Sequence, residues 1–484
     1  MILQKPHMRQ IGKEALFMRP CLKTNGTDIA RCFEAAVENI LDINIIPCDR
    51  AVYGSTGLLR HTHMLRAGGN YQTPWTRDAA INSWNCLRLL YPEVARDTLF
   101  AVCTADGEGR PVIQPDVQTW DQIVWTVGAW SYYLATGDED FLKEAYGIVG
   151  RALTKLRASR FVEKFGLFRG GSFFNDGIAG YPLDLHTPGL YDSFAPAHGA
   201  VEGIMCLSTN CIYAEAYRIY SRMAAHFGDG EAEAEALKRS EELKRAVNAI
   251  FWNEEQGRYS YILYPDGHLD DSQELSGHTF AVLFDICPRE KQRALLEGLT
   301  VSDRGLVSVW PPFAGLFSDD APGRHNNLIW PFLNGMYIQA LCRCGLAERA
   351  GEELAAMTKL YKDTGWHFWE IYSPYTGEPH GGWQLDHIWD SCQDQTWSAS
   401  CYIGAIVHGI FGLELREEGI RFCPCVPAAM DGAVLTGIRV LDMELSLEIR
   451  GSGTELAELL VDGAAFDGVL TADGKAHHIT LVMK

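Results

Sequence analysis

Residues 365–397 read GWHFWEIYSPYTGEPHGGWQLDHIWDSCQDQTW. Five of the chain's 13 tryptophans fall here (Trp366, Trp369, Trp383, Trp389 and Trp397), with Glu370, Glu378, Asp386, Asp390 and Asp394 among them. Glycine and proline break every periodicity, so the stretch reads as a connection between elements. Loops are normally polar and solvated; one this aromatic packs against something or holds something. The sequence on both sides is helical, with an amphipathic pattern over 347–362 before it and 393–411 after it.

Outward from that connection, helical periodicity dominates residues 28–412. It predicts helices at 28–45, 76–91, 93–104, 118–135, 139–158, 207–226, 231–250, 275–285, 288–299, 325–344, 347–362 and 393–411. "GDEDFLKEAYGIVGRAL" opens on acidic residues, as the helix dipole prefers. "EAEAEALKRSEELKRAVNAIF" is amphipathic with one charged face. The connections alternate strictly. Every second one is a few residues, and those between are long: 46–75, 105–117, 159–206, 251–274, 300–324 and 363–392. Antiparallel helices joined in this way carry all their long connections at one end. The expectation is therefore a mainly α chain, an (α/α)6 toroid over residues 28–415. Residues 1–27 form an N-terminal extension. Residues 416–484, with runs such as "LDMELSLEI" and "HHITLVM" between Gly and Asp turns, form a small C-terminal β-rich domain.

Composition narrows the function. With 484 residues and 47% apolar content the chain has ample core. A net charge of -20 argues against a nucleic-acid partner, which needs clustered Lys and Arg. No window of membrane-spanning length is free of charge, so no membrane partner is expected. The start, "MILQKPHMRQIGKEALFMRP", has no apolar run of signal-peptide length. Fourteen scattered cysteines, several in apolar helical patterns (Cys86, Cys206, Cys211, Cys401), read as reduced thiols and a cytoplasmic setting. "CRC" at Cys342 and "CPC" at Cys423 lack zinc-site spacing, so neither a metal nor a cofactor is expected.

The long connections share one chemistry. The first ends "GGNYQTPWTRDAA", with Tyr71, Trp75, Arg77 and Asp78; the second, "QPDVQTWDQIVW", offers Asp116, Gln118, Trp120 and Asp121. The third, "FFNDGIAGYPLDLHTPGLYDSF", brings Asn175 and Asp176. The fifth leads through "WPPFAGLFSDDAPGRHNNLIWPFLNG", with Arg324, His325, Asn326 and Trp330. The sixth supplies Trp369, Glu370 and Trp383, with Gln395 at its end. Sugars ask for this mixture, because their C–H faces stack on aromatic rings while their hydroxyls pair with Asp, Asn, Gln, Arg and His. Breaking a glycosidic bond needs two carboxyls, one protonated and one ionised. No GxSxG elbow, P-loop lysine or HExxH helix is present. His278 and His325 could serve a sugar epimerase, although "SGHTFAVLF" places His278 beside an apolar helix, as a packed or substrate-bonding histidine.

"PWTRDAAINSW", "FFNDGIAGYP", "HNNLIWPFLNG" and "WEIYSPYTG" followed by "QTWSAS" resemble the six-hairpin glycosidases over roughly residues 50 to 412. They are closest to glycoside hydrolase family 63, with its processing α-glucosidases and mannosylglycerate hydrolases. The tail is similar to those of α-L-rhamnosidases and disaccharide phosphorylases. The resemblance implies an inverting, exo-acting, α-glucosidase-like hydrolase of an oligosaccharide or small glycoside. It makes Asp176 the general acid and Glu370 the general base. The family's usual pair before the acid is replaced by Phe174 and Asn175, and its "W-R-G-P" helix start by "HNNLIWPF". The alternatives are a disaccharide phosphorylase or rhamnosidase on the same fold, and a non-catalytic sugar-binding protein.

Overall fold

The structure is a computed structural model that describes residues 19–114, 118–318, 320–385 and 387–484. Asp116, Asp386 and most of the expected N-terminal extension lie outside the described residues. Helices follow in the order α1 (Thr27–Glu38), α2 (Thr76–Asn82, continued by Ser83–Leu87 and Arg88–Leu90), α3 (Pro92–Ala101), α4 (Thr119–Thr136), α5 (Glu139–Arg160) and α6 (Leu207–His226). Then come α7 (Gly230–Phe251), α8 (Leu275–Leu283), α9 (Arg289–Glu297), α10 (Pro331–Arg343), α11 (Ala347–Asp363) and α12 (Thr396–Gly404, continued by Ala405–Ile410).

The even-numbered helices close a ring: α2 packs on α4, α4 on α6, α6 on α8, α8 on α10, α10 on α12, and α12 on α2. Each odd-numbered helix lies outside that ring, against one or two of its members. This is an (α/α)6 toroid. Burial follows position. In the inner α10 every residue from Pro331 to Cys342 is buried. In the outer α7 only Ala236, Ser240, Leu243, Val247 and Phe251 are, one stripe at helical spacing.

One helix starts later than the sequence suggests. The helix expected at 325–344 begins at Pro331, because proline lacks an N–H and favours the first helical position while holding its predecessor extended. His325, Asn326 and Trp330 therefore belong to the fifth connection.

The C-terminal residues form a six-stranded sheet in the order 21–23, 434–440, 443–450, 476–483, 456–461, 464–465. Its pairs are antiparallel except Met443–Arg450 with Ala476–Met483. Residues of Met443–Arg450 alternate buried and part-exposed, as a sheet with one covered face requires. Cys21–Lys23, from the expected N-terminal extension, is the edge strand paired with Val434–Thr436. The sheet packs where inner helices end: Leu441 N–H donates to Ala135 O in the last turn of α4 (2.5 Å). The toroid is thus covered at its helix C-terminal end, while the long connections precede the inner helices and gather at the other. All fourteen cysteines are free thiols, and among the described residues no helix is long and apolar enough to cross a membrane.

Candidate active site

Hydrogen bonds stitch the long connections into one cluster at the N-terminal ends of the inner helices. Gln395 Nε2 donates to Asp78 Oδ1 (2.9 Å), tying the sixth connection to the first. Arg77 Nη2 and Gln118 Nε2, from the first and second, both donate to Asp176 Oδ2 in the third (3.2 and 3.0 Å). Tyr261 of the fourth donates to Gly180 O (3.1 Å). Arg324 of the fifth donates through Nη2 to Glu370 Oε2 of the sixth (3.2 Å).

Asp176 owes its position to the residue two before it. Phe174 adopts a positive φ of 55°, an uncommon conformation for a non-glycine residue and one that concentrates at functional sites. Its ring is held by Trp330 and Phe332, with centroids 5.0 and 5.2 Å away. Two main-chain bonds fix the aspartate's own backbone, from Asp176 N–H to Phe174 O (2.8 Å) and from Ala195 N–H to Asp176 O (2.7 Å). Gly177 allows the closest approach of three connections. A Cβ there would stand 2.1 Å from Gln384 Oε1 and 2.3 Å from His325 Cδ2.

The electrostatics of Asp176 correct the expectation of a standing proton. Burial pushes its carboxyl upward, but Arg77, His325 and Arg324 outweigh burial and hold it well below the usual carboxylate range. His325 Nε2 lies 3.0 Å from Asp176 Oδ1. Burial lowers the His325 ring to about 4 against the pull of Asp176, so it is neutral at neutral pH. Trp330 stacks on that ring at 4.7 Å and donates from Nε1 to Arg324 O (3.1 Å).

Glu370 is more enclosed, with its side chain 6% exposed against 18% for Asp176. Its N–H donates to Cys392 O (2.8 Å). Arg324 is its cation partner, and the Arg324 Nη1 donates to Gly381 O (2.7 Å). The charge of Glu370, with burial, pushes the Tyr71 hydroxyl up, so Tyr71 stays a donor. Asp78 is 2% exposed; burial raises it well above the usual range, opposed by Arg77 and reinforced by Glu370 and Asp121.

The remaining expected site residues divide. Asp121 pairs with Arg77 (3.4 Å). Trp75, 46% exposed, stands at the rim, and Trp369 and Trp383 are part-exposed. Four others face inward. Trp120 and Trp330 are buried, the latter as the support for His325. Asn175 and Asn326 are fully buried and brace the loops. Asn175 Nδ2 donates to Tyr261 Oη (2.9 Å), and the Asn326 amide accepts from Phe313 N–H (2.9 Å) and donates to Phe313 O (3.2 Å). His278 is buried in α8, with Nδ1 2.6 Å from Glu274 O. Gln118 donates to Asp176, and Gln384 stands against the next residue, Gly177; sequence assigned these positions to neither. Neither amide lies in a motif that distinguishes it from an ordinary loop glutamine.

A closed ring of paired helices with paired carboxylates and arginines at its open end is the architecture of the toroidal glycosidases. The chain belongs to the family of mannosylglycerate hydrolase MGH1-like glycoside hydrolase domains, whose model matches residues 71–398. Solved structures of the same fold include a sialidase (TM-score 0.68, 14% identity, covering 92% of this chain and 40% of that one). A rhamnosidase from Klebsiella oxytoca with rhamnose bound also matches (TM-score 0.53, 14% identity, 81% and 66% covered). So does the GH63 mannosylglycerate hydrolase from Thermus thermophilus in complex with glucose (TM-score 0.53, 16% identity, 77% and 99% covered). The chain thus spans 40% of the sialidase but nearly all of the Thermus enzyme. No curated protein matches it in sequence.

Proposed function

We propose that the chain hydrolyses O-glycosidic bonds, removing a terminal sugar from an oligosaccharide or small glycoside with inversion at the anomeric carbon. Glu370 takes a proton from water as the water attacks that carbon. The bond to the leaving oxygen breaks, and Asp176 supplies the proton that makes the leaving group an alcohol. The observation that carries this reading is that two carboxylates from different connections enter one cleft, each on its own guanidinium: Asp176 on Arg77 and Glu370 on Arg324. A sugar-binding protein needs neither carboxylate fixed in this way. The sheet at the far end of the ring supports a pocket that admits a chain end, and in this reading Tyr71, Asp78 and Trp75 belong to the sugar-binding part of that pocket. The free thiols support a reducing, cytoplasmic setting.

The test is a panel of α-gluco, α-manno and rhamno glycosides, assayed with and without phosphate, with the first-formed anomer read by NMR. Hydrolysis without phosphate, an inverted product, and loss of about a hundredfold or more in Glu370→Gln are expected. Turnover only with phosphate would establish a phosphorylase. A retained anomer would exclude inversion, and early mid-sized products from polymers would exclude exo action.

A further inference from the structure

Two aromatic side chains at the mouth of the cleft have no part in that chemistry. Phe194 is 49% exposed, an isolated bridge pairs it with Gly177, and Ala195, the next residue, holds the Asp176 carbonyl. Trp389 of the sixth connection meets the Phe194 ring edge to face, with centroids 6.3 Å apart, and Arg324 lies 5.8 Å from the Trp389 ring. Ile388, 53% exposed, adjoins it. A single exposed apolar side chain is ordinary, but an aromatic pair drawn from two connections beside a cleft marks a binding surface. Through Gly177 and Ala195 the Phe194 end of the pair adjoins Asp176, the proposed acid, from which a leaving group departs.

Charge narrows what can lie there. The guanidiniums of Arg77 and Arg324 are already engaged, by Asp121 and Asp176 and by Glu370. An anionic leaving group at Asp176 would meet a carboxylate whose nearest cations are committed. We propose that the leaving group is a neutral, apolar or aromatic alcohol, seated across Phe194 and Trp389. The inference rests on the hydrolytic reading above and names its substrate class.

The test compares three glycosides of whichever sugar the protein accepts: the 2-phenylethyl glycoside, the glycerate glycoside and the glycosyl fluoride. The first two both leave as protonated aliphatic alcohols, so their intrinsic reactivities are close, and the fluoride carries no leaving-group body. The phenylethyl glycoside should exceed the glycerate glycoside in kcat/KM by about tenfold or more, the scale of one well-filled apolar contact. Phe194→Ala and Trp389→Ala should each lower the ratio of phenylethyl to fluoride turnover by about tenfold. Fluoride turnover in the same variants reports whether they fold. Equal or faster turnover of the glycerate glycoside overturns the proposal, as does an unchanged ratio in both variants. Failure to hydrolyse any sugar's fluoride would remove the hydrolase reading, and this inference with it.

Discussion

Because Arg77, His325 and Arg324 together hold Asp176 well below the usual carboxylate range, the role of acid proposed for it has a measurable consequence. The profile of kcat/KM against pH reports the free protein, in which the acid must already carry its proton. For a group whose pKa lies below the working range, the protonated fraction falls tenfold with each unit of rising pH. Between pH 5 and 7 the kcat/KM for an alkyl glycoside should therefore fall by about a hundredfold. A glycosyl fluoride needs no proton on its leaving group, so its profile should lack that slope. Asp176→Asn should cost about a hundredfold or more with the alkyl glycoside and far less with the fluoride. The assay is initial rates at low substrate with both substrates, wild type and variant, over that pH range. A flat alkyl-glycoside profile, or equal losses for both substrates in Asp176→Asn, would refute the assignment. The proton would then have to come from elsewhere, and Asp78, which burial pushes well above the usual carboxylate range, is the next residue to test.

Arg324→Met should destabilise the fold by about 3–5 kcal/mol, because it leaves the buried Glu370 carboxylate without its cation. Denaturant unfolding with a loss below about 1 kcal/mol would show that the pair is not coupled in this way. Gly177→Ala places a methyl 2.1 Å from Gln384 Oε1 and should cost about 1–3 kcal/mol. Turnover should suffer more than stability, since His325 must shift; wild-type rates would show that the three connections yield freely. On the C-terminal sheet, Asp473 and Asp462 hold His477 above 6.5. A raised folded value means that this contribution is fully present below 6.5 and is lost as pH rises through the folded value. His477→Gln should flatten the pH dependence of unfolding in that window, and an unchanged slope would remove His477 as its source.

The helices were legible because each repeats an apolar stripe long enough to count, and α6 matches its expected range of 207–226 to the residue. The ring followed from connection lengths alone, since strict alternation leaves antiparallel pairs no other end at which to gather their long loops. What escaped was smaller than a period. Two-residue strands such as Trp383–Gln384 and His387–Ile388 carry no alternation to read, and Cys21–Lys23 becomes a strand only because the edge at Val434–Thr436 is there to pair with it. The site divided along the same line. The carboxylates, arginines and aromatic rings were visible as residue types in the right connections. Which of them touch was not, because Arg77 reaches Asp176 across 99 positions and Arg324 reaches Glu370 across 46. Asn175 and Asn326 have the same hydroxyl-reading chemistry as any sugar ligand. Only the fold reveals that Phe313 has taken both ends of the Asn326 amide and Tyr261 the Nδ2 of Asn175. A sequence therefore identifies which connections can build such a cleft, whereas the charge state of its carboxyls depends on contacts that exist only once the ring has closed. For this reason the protonation of Asp176, not its presence, is the point on which the mechanism turns.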